Sequence, residues 1–284
     1  MKKIVSRLEE FREVLSLMFT RTKIQSSVPT TVVVFKDDDS FKPFKPRYKG
    51  KTENDVRGYF VNRPDGNYIV LSLDKTALSP YEVIFHEYEH FVLHNNMKRA
   101  PLWLNEGLAE YYSTFTSDDQ QKVTMGAPIG RHIMLLRERP LMPLKTLLTI
   151  NHKSPEYHEG SKVGVFYAES WALVHYLMNG NELKRRPQLV KFLSQLSSDI
   201  PLEESFKQSF GTDYAGMEEE LRNYVSKFLF PTMVSKFTEK FQVAGGFQVG
   251  PMPEAAVQQQ LGELLLSNGR LEEAEARLHK ALSL

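Results

Sequence analysis

The sequence predicts an α+β protein: a small twisted β-sheet packed on a long helix, then a mostly helical lobe, then a C-terminal helical hairpin. Three observations predict it. The strand-like runs VPTTVVVF, GYFVNR and NYIVLSL all lie before residue 74. From residue 80 to about residue 230 the apolar period is helical. After a glycine- and proline-rich stretch at 241–254, small and large residues recur at the spacing of two packed helices.

At the start, Leu8, Phe11, Leu15 and Met18 recur at helical spacing, so residues 2–20 read as an amphipathic helix. VPTTVVVF (28–35) reads as a strand, and FKPFKPRYKGKTENDV as a loop. GYFVNR (58–63) and NYIVLSL (67–73) flank PDG, where proline presets φ and glycine accepts positive φ. They predict a hairpin, with NYIVLSL either an edge strand open to an extended peptide or an ordinary internal strand. Ser79, Pro80 and Glu82 form a helix start with a capping box, opening a helix that runs to about His94. A second helix is predicted over about Leu102–Thr114, further ones at 161–178, 183–197 and 213–228, and a short strand near Lys122–Met125. In the last segment Leu261–Gly262, Gly269, Leu271, Ala274, Leu278 and Ala281 resemble a tetratricopeptide repeat. One such unit cannot bury its own face, so the resemblance implies a longer repeat array and a protein partner. The predicted organisation is a sheet subdomain at 1–78, a helical lobe at 79–240, a linker at 241–254 and a partial repeat at 255–284.

Composition excludes several classes. Hydrophobic residues are 41% and charged ones 25%, as in a globular protein with a real core. With 36 basic and 35 acidic residues and no basic block, nothing recommends a nucleic-acid partner. No apolar run reaches membrane-spanning length. The start has two lysines but no apolar signal-peptide core. There is no cysteine, which leaves the compartment open, including the cell envelope if a signal has been removed. Any metal must be held by imidazole and carboxylate.

HEYEHFVLHNNMKRAPLWLNEGLAEY (86–111) places three histidines and four glutamates among bulky apolar residues. His86 and His90 are four apart, so on a helix they share one face and can bind one ion. Glu87 sits beside them as a candidate general base. A buried helix cannot carry such polar groups without partners, and a metal satisfies several at once. A catalytic zinc needs a third protein ligand, and Glu106 on the next predicted helix is the candidate. Gly107 would let two helices approach. Glu110, one turn on, can orient a ligand histidine through its other ring nitrogen.

HEYEH followed by WLNEGLAEY resembles the gluzincin clan of zinc metallopeptidases, which includes the thermolysin and aminopeptidase N families and the peptidase-MA-like family, often joined to tetratricopeptide repeats. The resemblance implies zinc held by His86, His90 and Glu106, with Glu87 as base and a peptide or protein as substrate. YAESWALVHYL (167–177) extends it. In the aminopeptidase N branch a tyrosine about sixty residues past the glutamate ligand stabilises the oxyanion, and Tyr167 follows Glu106 by 61. His175 is the other candidate donor. The chain departs from the clan in Glu89, a charge at an usually uncharged position. It also departs from aminopeptidase N in its shorter His90–Glu106 gap and in lacking the G-A-M-E-N motif.

Plainer readings stand beside these. Glu106 could be a surface carboxylate of an amphipathic helix. Tyr167, Trp171 and His175 form an i, i+4, i+8 stripe that suits packing. His94 suits a helix C-terminus. His132, His152, His158 and His279 have no partner visible in the sequence. As a whole the chain reads as an active zinc peptidase, as a zinc hydrolase of another substrate, or as a retired peptidase domain serving as scaffold.

Overall fold

A computed structural model describes residues 2–20, 23–24, 26–54, 56–73, 79–97, 99–158, 161–196, 200–242 and 248–284. Part of the expected linker, 243–247, lies outside the described residues. The fold is mixed α and β, as predicted, and divides into two compact units: Met1–Asn95 with Gln242–Leu284, and Asn96–Phe241.

The first unit is built on a three-stranded sheet. Its strands are β1 (Thr30–Phe35), β4 (Gly58–Asn62) and β5 (Asn67–Ser72), in the order β1-β5-β4. The hairpin on PDG forms as the turn residues predict, pairing Asn62 with Asn67 and Gly58 with Leu71. β5 pairs in parallel with β1 on its other side, Thr30 opposite Asn67. NYIVLSL is therefore the central strand and offers no free edge to a peptide; the edge-strand expectation is overturned. Every residue from Asn67 to Ser72 is buried. A strand apolar at both parities needs cover on both faces.

Helix α3 (Pro80–Asn96) covers one face. Phe85, Tyr88 and Phe91 point inward, with Phe11 of α1 (Lys2–Met18) 4.8 Å from the Phe85 ring and Phe60 of β4 5.9 Å from Phe91. The other face, through Tyr68 and Val70, packs on Phe41, Phe44, Leu264, Leu265 and Ala274. The first two come from the stretch expected to be a loop. That stretch instead holds the last residue of α2 (Asp38–Phe41), a single 3-10 turn and the short hairpin β2 (Arg47–Tyr48) and β3 (Lys51–Thr52). Asp37 begins α2 by accepting from the Ser40 amide, a local signal that apolar periodicity does not register.

The last three come from α12 (Glu254–Ser267) and α13 (Leu271–Leu282). These two helices form the hairpin the sequence predicts, with Gly262 against Leu278, where a Cβ would lie 2.8 Å from Leu278 Cγ. The hairpin buries its inner face on the sheet of its own unit. Polar contacts seal the edge: Tyr68 donates to Glu263 at 2.8 Å, and Asn268 donates to Phe44 O at 3.0 Å and to the Tyr59 hydroxyl at 2.8 Å.

In the second unit α4 (Leu102–Ser113) packs along α8 (Ser161–Asn179). Gly107 makes this approach possible, since a Cβ there would stand 2.5 Å from Ser170 O. Around them lie α5 (Gly130–Glu138), α6 (Leu144–Thr149), α7 (Pro155–His158), α9 (Arg185–Gln195), α10 (Leu202–Phe210) and α11 (Tyr214–Val225). An antiparallel sheet of β6 (Thr116–Asp118), β7 (Lys122–Met125) and β8 (Met233–Lys236) completes the unit, with β7 in the middle. Trp103, Tyr111, Phe166 and Trp171 fill its core. No helix among the described residues is long and apolar enough to cross a membrane.

Candidate metal centre

Helix α3 starts where its sequence says it should. Ser79 Oγ accepts from the Tyr81 amide at 3.2 Å, and Pro80 occupies the first turn, where its missing N–H costs nothing. Burial of Ile84, Phe85, Tyr88 and Phe91 then sets the helix rotation. That rotation brings His86 and His90 together, both half-buried, with ring centroids 4.7 Å apart and planes at 89°.

Glu87 is 6% exposed. The backbone of β4 reaches it at Gly58, where an added Cβ would lie 3.1 Å from Glu87 Cγ and 2.6 Å from Val83 Cγ1. A glycine at the strand end thus lets the sheet come close under the candidate base. Glu89, one residue before His90, is 4% exposed, and its Oε2 has no hydrogen-bond partner among the described residues. Burial raises its pKa to about 8, with the charge of His86 acting the other way. At neutral pH it is therefore held largely as the neutral acid, which answers how a charged residue type is tolerated there. His94 lies 6.3 Å from the Phe60 ring, a packing contact at the helix end.

Glu106, on α4, is 2% exposed. Its Oε1 accepts a hydrogen bond from the Tyr157 hydroxyl at 3.1 Å. His86, His90 and Glu106 each offer one ligand atom, and these atoms all lie within 4.8 Å of one another. Two imidazoles and a carboxylate are the donor set of His2Glu zinc sites. The residues present therefore fit such an ion. The surface-carboxylate reading of Glu106 does not survive its burial.

The remaining candidates fall less simply. Glu110 Oε2 accepts from Arg131 Nη2 and His132 Nε2, each at 2.9 Å, which ties the carboxylate to α5. His132, without a visible partner in the sequence, has this one. Tyr167 is half-buried, its ring stacked on that of Tyr157 at 6.2 Å and 19°. His175 is fully buried, and both ring nitrogens are engaged: Nδ1 accepts from the Tyr224 hydroxyl at 2.7 Å and Nε2 donates to Gly126 O at 2.8 Å. Burial lowers its pKa to about 4, so it is a neutral core histidine. Its candidacy as an oxyanion donor is corrected, because it has no N–H left to give.

Two residues that matter were not visible in the sequence. Tyr157 sits in a polar stretch without periodicity, and only the fold brings its hydroxyl to Glu106. Gly58 carries no chemical group, and its use appears only when Glu87 lies against it.

Two histidines four apart on one helix, an acid next to the first of them and a buried glutamate are the residue types of a metallopeptidase-like site. In comparisons with known proteins, residues 57–227 match the peptidase MA superfamily. The chain belongs to that superfamily. The matched span runs from β4 to just beyond α11 and includes every residue of the candidate centre. No curated protein matches the chain.

Proposed function

We propose that this chain is a zinc-dependent metallopeptidase, with His86, His90 and Glu106 as ligands and Glu87 as general base. The convergence of the three ligand atoms within 4.8 Å carries the reading. Membership of the peptidase MA superfamily supports it, because peptidases of that clan are usually zinc-dependent. Bound there, zinc lowers the pKa of a water molecule to about 7 and polarises a carbonyl as a Lewis acid.

The chain's own residues do the rest. Glu87 takes the proton as the water oxygen bonds to the scissile carbon. The carbonyl π pair moves onto oxygen, and the Tyr167 hydroxyl donates to the charge that builds there. When that pair returns, the C–N bond breaks, and Glu87 delivers its proton to the departing amine. Elemental mass spectrometry of dialysed protein, paired with a peptide-cleavage assay, tests the scheme. Wild type should hold about one zinc per chain, as a three-ligand catalytic site does. His86→Ala should lose it. Glu87→Gln should keep it and lose at least about a hundredfold in turnover. Full turnover by Glu87→Gln would sink the mechanism.

One observation favours a scaffold role as a second reading. Leu271 and Leu282 lie on one side of α13 and are 65% and 84% exposed, as on a repeat that meets a further helix or a partner. A chain that takes up zinc but cleaves no member of a peptide library would favour it.

A further inference from the structure

Helix α7 is one turn long, yet the segment around it is heavily cross-braced. The Ser154 amide donates to Asn151 O at 2.9 Å, and the Asn151 amide donates to Ser154 Oγ at 3.1 Å. Asn151 Oδ1 accepts from the Lys153 amide at 2.9 Å, and His158 Nε2 donates to His152 O at 2.6 Å. The Tyr157 amide donates to Ser154 O at 3.1 Å. So short a segment gains little from apolar burial, and no residue of α7 is buried. Its order comes from these local bonds.

What the bracing holds is one phenol ring. Tyr157 lies between His152 at 5.3 Å and His158 at 5.0 Å, both edge-on, and it meets Phe166 and Tyr167 of α8 at 5.8 and 6.2 Å. With its ring packed on four others, its hydroxyl has one place to be. That place is 3.1 Å from Glu106 Oε1.

We propose that Tyr157 is a positioning residue for the metal centre: its hydroxyl holds Oε1 so that the Glu106 carboxylate presents its ligand oxygen to the ion in one orientation. The proposal rests on the zinc reading above. The physical reason is entropic and electrostatic. A glutamate can rotate about its last torsion and bind an ion in several ways, and a hydrogen bond to one oxygen removes most of that freedom. Partners of this kind, one bond removed from the ion, are worth about 10–100-fold in metal affinity. Tyr157 does not touch the substrate in this role, which separates it from Tyr167.

Tyr157→Phe removes the hydroxyl and keeps the ring. Zinc affinity is measured by competition with a chromophoric chelator in four proteins: wild type, Tyr157→Phe, Glu106→Ala, and the double variant. Tyr157→Phe should bind zinc about 10–100-fold more weakly. In the Glu106→Ala background the same change should cost less than about twofold, because the group it orients is gone. If Tyr157→Phe also lowers the melting temperature of the metal-free protein, the comparison in the Glu106→Ala background still separates positioning from packing. An equal loss in both backgrounds overturns the proposal, as does wild-type affinity in Tyr157→Phe. A wild-type chain that takes up no zinc overturns the metal reading and this proposal with it. Tight wild-type binding with no effect of Tyr157→Phe overturns this proposal alone.

Discussion

At the scale of single residues, the site combines groups that the chain's chemistry announces with groups that only contact reveals. His86, Glu87 and His90 announce themselves, because two imidazoles and an acid in a buried helical segment have few other uses. Gly58 does not. An added methyl there would meet Val83 Cγ1 at 2.6 Å, Val70 O at 3.0 Å and Glu87 Cγ at 3.1 Å. Gly58→Ala should therefore cost about 1–3 kcal/mol by overpacking. It should also displace Glu87 and lower turnover while zinc content stays at the wild-type level. Denaturant melts, metal analysis and peptide cleavage on one preparation check all three, and unchanged turnover would show that β4 does not set the base. Tyr157 was equally hidden, since a tyrosine between polar residues has no period and its partner lies 51 residues away.

At the scale of elements, α3 was legible because its cap, first-turn proline and apolar face agree with one another. α4 was legible for a related reason, with Gly107 marking a close approach. The partner in that approach is α8, seen only when Ser170 O is found where a Cβ would be. α8 also carries a buried acid. Glu169 accepts from the Met142 amide at 2.9 Å, and Glu218 of α11 accepts from the Leu144 amide at 2.6 Å, so two helices clamp the segment before α6. Burial raises the Glu169 pKa to about 8, the Met142 amide opposes this, and the nearby Glu218 charge adds to it. The folded state thus keeps a proton that the unfolded chain releases above about pH 4.3. Stability should fall as pH rises from there towards 8. Glu169→Gln, which cannot ionise, should flatten that fall and be more stable than wild type at pH 8 relative to pH 5. Urea midpoints across that range decide it, and parallel pH profiles would refute it.

At the scale of the whole molecule, the unexpected feature is where the last thirty residues go. α12 and α13 cover the sheet face carrying Tyr68 and Val70, with Leu264 and Leu265 buried in the same cluster. A hairpin that cannot bury its own face has found a face within its own unit. Leu264→Ala should then lower the unfolding free energy by about 2–5 kcal/mol, the cost of a cavity in a shared core. A hairpin held only loosely would lose far less, and guanidinium unfolding of the variant distinguishes the two. The sequence carried a clue, because NYIVLSL is apolar at both parities, the pattern of a strand covered twice.

The sequence by itself determined much that is local: the helices α1, α3, α4 and α8, the strands β1, β4 and β5, the PDG hairpin, and the two histidines on one face of α3. These follow from short-range rules, from capping and turn chemistry to periods of 2 and 3.6 residues. Only the tertiary structure decided what is matched across distance. It made β5 central, and it committed both nitrogens of His175 to Tyr224 and Gly126. It also set Glu110 against Arg131 and His132, and Tyr157 against Glu106. Each of these is a choice among several chemically equivalent partners. A hydroxyl or carboxylate does not encode which partner it will meet; the packing of the apolar surfaces around it does.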